Sequence, residues 1–374
     1  MNQDIELPFA EMRRELAPEF TYHPWIYWTD FLLSVTIGWG AFIGMQLVPI
    51  FSLPQALLYL VALLASYRAV LFVHEIAHFK KDSVPGFSVA WNLLMGVPFF
   101  VPSFMYRGVH NDHHSKLFYG TREDGEYVAF GLENPKRILL YLATTFVSPL
   151  LLPLRFIVLS PLSWMIPSFR KIVVGQLSSL VIDFEYVRGE LSPSEKRDIR
   201  WQEPLAFVFG AILVGLIIAG VLPVSLLGYW YIHSFGLFLI NSLRTIAAHR
   251  YANSGEQVSM STQFLDSVNI IGAPVSTTLF CPVGLRYHAL HHLFPTLPYH
   301  SLARAHEKLE RFLPKNSPYH LASEPSLYVA IQKLWQGAKA ESSRPRGQGE
   351  KTSFMPKFLH KNSREERPPV AKYP

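Results

Sequence analysis

A single cysteine, Cys281, stands among the 374 residues. That excludes an internal disulfide, an iron–sulfur cluster held on several thiolates and a rubredoxin-like module within the chain. Any one-electron carrier must therefore come from outside. Charge is also sparse: Asp, Glu, Lys and Arg make up 17% of the residues, against about 25% in a typical soluble domain. Apolar residues reach 49%, a balance that points to a membrane protein. Met1–Glu15 mixes acids with Arg13 and Arg14 and has no basic segment leading into a short apolar run and a cleavage site, so no cleaved signal peptide is expected. The formal net charge is +6, but residues 338–374 alone hold nine Lys or Arg and four Glu. The basicity belongs mostly to a tail, and a nucleic-acid partner is not expected.

What is present in quantity is apolar sequence. Four runs, at about 31–51, 54–78, 204–222 and 226–247, approach or exceed the roughly 20 helical residues that cross a bilayer. They pair into two hairpins with short uncharged links. Lys and Arg fall in the stretches 80–81, 107–137, 170–200 and after His249, and short basic loops prefer the cytoplasmic side. Both termini are thus expected in the cytoplasm. Val89–Met105, with Pro98 and Pro102, and Ile138–Ile166, with Pro149, Pro153, Pro161 and Arg155, read as helices lying in the cytoplasmic interface, with a third hairpin as the alternative for these stretches. Residues 1–28 read as a cytoplasmic segment, 29–336 as the membrane domain and 337–374 as a disordered basic tail.

Fifteen histidines are the other abundance, and three clusters hold eight of them. "HEIAH" places His74 and His78 four residues apart at the cytoplasmic end of the second run, one helical turn apart on one face. "HNDHH" supplies His110, His113 and His114, and "HALHH" supplies His288, His291 and His292, at spacings of three and four that keep the rings together. The topology brings all three clusters to the same membrane face, and His249, directly after the fourth run, joins them. Nine imidazoles are too many for one tetrahedral ion but suit two metals. Glu75, Asp112 and His300 are candidates for orienting the ligands. His233 would lie roughly 24 Å from His249 along one helix, too far to share the site, and reads as an outer-interface residue.

"HEIAH" also matches the zinc-protease pattern, in which the glutamate acts as base. That alternative leaves two HxxHH clusters without a role. The three clusters together resemble the membrane fatty acid desaturase family, which is marked by HxxxH, HxxHH and a second HxxHH about two transmembrane hairpins. The resemblance spans about residues 29–312 and extends to "RTIAAHRY", with His249, and to "HHLFPTLPYH". It implies an all-α integral membrane fold, two iron ions on the nine histidines, O2 as co-substrate and a fatty acyl substrate. It further implies electrons from a separate ferredoxin, rubredoxin or cytochrome b5 type protein. In part of the family an asparagine four residues before the isolated histidine helps hold a metal through water. Thr245 stands there in this chain, a departure from the acyl-CoA branch.

Desaturation is the first expectation for the reaction. Hydroxylation, and oxidative decarboxylation of free fatty acids to terminal alkenes, are alternatives that begin with the same hydrogen abstraction. Arg107, Arg250 and Arg286, each close to a histidine cluster, could bind a carboxylate or head group; equally, they could only obey the positive-inside bias. A bacterial inner membrane is expected rather than the endoplasmic reticulum.

Overall fold

The computed structural model describes residues 7–343. It is mostly helical with almost no strand, as expected of an all-α membrane protein. Helix α1 (Pro24–Gly44) and helix α2 (Leu53–His78) pack as an antiparallel hairpin. The Ser52 hydroxyl accepts from Gln55 N at 3.3 Å and Pro54 sits in the first turn, an N-terminus built from a side-chain cap and a residue that needs no donor. At about 1.5 Å per residue, the 26 residues of α2 extend about 39 Å. Its last turn, carrying His74 and His78, therefore projects beyond a hydrocarbon layer of about 30 Å.

Two stretches expected to lie flat do not. From Phe87 to Val101 the chain dips into the bundle as a short helix, a π turn at Asn92–Gly96 and a buried irregular segment. Phe99 packs against His233. Non-helical backbone at such depth persists only where protein satisfies its polar groups. Trp39 Nε1 donates to Leu94 O at 3.0 Å, Trp230 Nε1 donates to Pro98 O at 3.0 Å, and the Asn92 amide bonds both Ser88 O and Ser103. Helix α3 (Phe104–His113) follows and carries the second cluster.

The second stretch is helix α4 (Lys136–Met165), 30 residues that include Pro149, Pro153 and a π turn at Arg155–Leu159. It flanks helix α5 (Pro193–Ile218) and helix α6 (Ser225–Ala248), which are joined at 219–224. Its early residues Ile138 and Leu142 pack with Leu243 and Ile246 of α6, and Phe146 meets Phe235 higher up. Ile157 then lies against Gly210 of α5, and Trp164 bonds Glu203 at 3.2 Å. The contacts climb α6 and descend α5, so α4 arches and both its ends lie away from the 219–224 link. Proline and π turns supply the bend.

By length and apolarity, α1, α2, α4 and α5 could each cross a membrane. Helix α6, expected as the fourth span, is less apolar because it carries His233, Asn241 and Arg244, but it packs against α2 and α4 inside the bundle. His233 is not at an outer interface; it is fully buried beside Phe42 and Phe99.

Beyond α6 the chain forms the cap: helix α7 (Met260–Asp266), strand β1 (Asn269–Ile270), helix α8 (His288–Leu293), helix α9 (Leu302–Phe312), strand β2 (Ser323–Glu324) and helix α10 (Leu327–Ser342). β1 pairs in parallel with β2. The disordered tail expected from 337 is corrected at its start, since α10 runs to Ser342 and buries Leu334 and Ala338 against the cluster around Tyr251. Residues 344–374 of that expected tail lie outside the described residues.

Candidate metal centre

The segment 266–270 holds the isolated histidine and the third cluster together. Val268 N donates to Ala248 O at 2.8 Å and Arg250 N to Asp266 O at 2.6 Å, bracketing a bridge between His249 and Ser267. On its other side Ile270 N donates to Arg286 O at 2.7 Å, Asn269 bridges Tyr287, and the Asn269 side chain accepts from Leu290 N. Helix α6 therefore ends, and α8 begins, on one short spine.

Nine imidazoles converge in two groups. His74, His78, His110, His114 and His291 form one, and His113, His249, His288 and His292 the other; within each group one ring nitrogen per residue lies within 4.8 Å of all the others. All are buried except the half-buried His78. His249 Nε2 is 3.2 Å from His113 Nε2 and 2.9 Å from His288 Nε2, which in turn is 3.1 Å from His292 Nε2. With the proton of His113 on Nδ1 toward Asp124 and that of His249 on Nδ1 toward Tyr119, no N–H is left between their Nε2 atoms. The arrangement does fit lone pairs aimed at a common cation, since ligands about 2.1 Å from a metal stand about 3 Å apart. In the first group, Nε2 of His78 and of His110 are buried without a hydrogen-bond partner. The residues fit two metal ions.

The outward nitrogens are equally ordered. His113 Nδ1 faces Asp124 at 2.9 and 3.1 Å, and His110 Nδ1 faces Glu126 at 3.1 and 3.2 Å. His249 Nδ1 lies 3.0 Å from the Tyr119 hydroxyl, which donates to Asp266 at 2.7 Å. The Gln263 amide is 3.0 Å from His292 Nδ1. On His110, His113 and His249 an acceptor at Nδ1 fixes the ring and leaves Nε2 for the metal, whereas the Gln263 amide nitrogen is a donor toward His292 Nδ1. Burial, reinforced by neighbouring charges, holds His110, His114, His249, His288, His291 and His292 well below their ordinary range. His113 is raised: burial opposes its charge, but the Asp124 carboxylate outweighs it.

A family model, fatty acid desaturase, matches residues 51–323. The chain belongs to the fatty acid desaturase family. Over 324 residues it is 40% identical to a ceramide hydroxylase of Caulobacter vibrioides (strain NA1000 / CB15N), a similarity that covers 86% of this chain and 92% of the relative. As a member of this family the protein is a membrane oxidoreductase, and the resemblance carried by the three histidine clusters is borne out.

Other candidates in this desaturase-family chain fall outside the cluster. Asp112 accepts from Tyr186 at 2.7 Å, and the His300 ring packs tilted against His23 and edge-on to Tyr27. Glu75 lies 3.8 Å from His74 Nδ1, but accepts from Tyr27 at 2.6 Å and from Tyr299 N at 3.1 Å, which ties α1 and the α8–α9 connection to the ligand helix. The three arginines are engaged inside the protein: Arg107 with Asp198 at 2.6 Å, Arg250 with Leu265 O and Leu321 O, and Arg286 with Ile270 O and Ile271 O. They brace the cap.

The sequence reading did not find Asp124, Glu126, Tyr119, Gln263 or Asp266. A signal existed for the first two, acids at alternate positions in "REDGEY" shortly after the second cluster. Gly120 makes their turn possible: its φ is +69°, and a Cβ there would stand 2.3 Å from Asn253 Nδ2. Gly120 N donates to Asp124 at 2.8 Å.

Proposed function

We propose that the protein is a di-iron oxidase that uses O2 to hydroxylate the acyl chain of an N-acylated, ceramide-like lipid. The observation that carries this reading is the similarity to the ceramide hydroxylase over nearly the whole of both chains, together with nine histidines divided five and four. All-nitrogen sites rich in imidazole suit iron among several first-row metals, and bound iron would supply the oxidising power needed to break an unactivated C–H bond. In hydroxylation one oxygen atom of O2 enters the C–H bond and the other leaves as water, with two electrons and two protons taken up. The electrons would come from a separate carrier protein, since the chain has one cysteine. His74, His78, His110, His114 and His291 would bind one ion, and His113, His249, His288 and His292 the other. The buried walls exclude water, and Asp124, Glu126 and the Tyr119–Asp266 pair hold the rings in the required tautomers.

Desaturation is the second reading, favoured by the match to the fatty acid desaturase family model. It takes up the same O2, electrons and protons but releases two waters and leaves a double bond. In this reading, too, the metal face and both termini are cytoplasmic. The test is reconstitution of purified full-length protein with ferrous iron, a chemical reductant, O2 and a panel of free acids and N-acyl lipids, followed by mass spectrometry. A product 16 mass units heavier under ordinary O2, and 18 heavier under 18O2, is expected. A product two units lighter would replace hydroxylation by desaturation, and loss of CO2 to an alkene would reject both.

A further inference from the structure

Arg244 is a half-buried cation of the bundle that makes no direct ion pair with an acid among the described residues. It sits on α6, one turn before the helix ends at Ala248. Arg107, Arg155 and Arg170 each lie within 2.8 Å of a carboxylate oxygen. Among the described residues no carboxylate comes within ion-pair distance of Arg244. Its Nη2 donates to Thr245 Oγ1 at 2.9 Å and Asn241 Oδ1 at 3.3 Å, both neutral and on its own helix, and its buried Nε has no partner. Its charge bears on the Glu126 carboxylate behind His110, on the Tyr67 hydroxyl, which also lies within its hydrogen-bonding reach seven residues before His74, and on Tyr106, whose ring stacks on His110. It also bears on His74, His249, His288 and His291, which come from both metal groups. Arg244 also lies on α6 only five residues before the ligand His249, so the guanidinium stands beside the metal face.

A guanidinium whose Nε is buried and unbonded is costly unless a ligand completes it, and ionisable groups within membrane helices mark substrate paths. We infer that Arg244 receives the C1 oxygen of the substrate, from an amide carbonyl or a free carboxylate, and so presents the carbons next to C1 to the metals. The inference rests on the acyl-oxidation reading above and specifies it: oxidation occurs close to the polar end, not at mid-chain. A guanidinium fork suits either oxygen, whereas a lysine would offer a point charge.

The test uses full-length protein in lipid nanodiscs. Binding of dodecanoic acid, N-methyldodecanamide and tridecane to metal-free protein is measured by displacement of a fluorescent fatty acid, and the iron-loaded protein is assayed for the position of oxidation. The Arg244→Met variant should bind the acid and the amide roughly 10- to 100-fold more weakly, the loss of a charge-assisted hydrogen bond. Tridecane binding and iron content should not change. KM should rise more than kcat falls, products should spread along the chain, and Arg244→Lys should recover part of the acid binding. Should Arg244→Met misfold, Arg244→Lys and the wild-type oxidation position still decide. Acid binding better than amide binding in the wild type identifies a carboxylate ligand; the reverse identifies an amide. Oxidation by wild-type protein at one mid-chain position, or equal affinity of Arg244→Met for all three probes as in wild type, would overturn the inference while leaving acyl oxidation intact. No oxidation of any chain by iron-loaded wild-type protein would remove both.

Discussion

Asp124 stands 2.9 Å from Nδ1 of His113 and is fully buried. It also accepts from Gly120 N and Glu126 N, so the carboxylate is held by backbone and holds the imidazole in turn. Asp124→Asn should keep the fold but lower metal affinity or turnover roughly 10- to 100-fold. Titration of metal-free protein with ferrous iron measures it, and wild-type affinity and turnover in this variant would remove Asp124 from the site's support.

The five-and-four division predicts separable losses. His291→Ala should lower iron from two ions toward one by emptying the first group, His292→Ala by emptying the second, and His113→Ala/His291→Ala should bind little. His233→Ala should keep both ions, although its ring packs on Phe42 and Phe99 and its truncation should cost about 2–5 kcal/mol of stability. Metal analysis with thermal melting distinguishes the two effects; unchanged iron and activity in the double variant would sink the assignment.

Metal-free protein should lose stability in acid. Six imidazoles outside the spans are held below their ordinary range by burial, so the unfolded chain binds protons there that the folded chain does not. Stability is then fully present above about pH 6.5, the unfolded value, and declines as the pH falls below it. His113, shifted upward, opposes this as one group against six. The apparent Tm should fall between pH 7.5 and 5.5, and iron should flatten the dependence; a Tm that rises on acidification contradicts the neutral cluster.

Membrane orientation can be read by labelling. Cysteines placed at Ser52, in the first short link, and at Ser225, where α6 begins after the second, should react with an impermeant maleimide from outside, and one at exposed Lys196 only after permeabilisation. Native Cys281 is buried and should stay silent. Labelling at Ser52 and Ser225 from the cytoplasmic side would reverse the topology.

Truncation should divide the tail in two. Ending the chain after Ser343 should leave iron content and chemically reduced turnover near normal. Ending it after Ser326 removes Leu334 and Ala338 from the cluster that holds Tyr251, two residues from His249, and should lower iron loading. Normal loading of the shorter chain would show that α10 supports nothing at the site.

Much of this protein is determined by local pattern. Apolar runs of bilayer length dictate helices, and histidines at spacings of three and four share a helical face whatever surrounds them, so the family and the nine imidazoles were legible before any fold. What local pattern lacks is depth and partnership. Val89–Met105 and Ile138–Ile166 carry prolines that signal broken helices, but only Trp39, Asn92 and Trp230 capping their free carbonyls, and contacts along α5 and α6, decide that they enter the bundle. The same holds at the centre. Asp112 is adjacent to His113 in the chain yet bonds Tyr186, while Asp124, eleven residues away, holds the ring. Which histidines share an ion, and which arginine lacks an acid, depends on side chains from different helices meeting in space, and that is set by packing rather than by spacing.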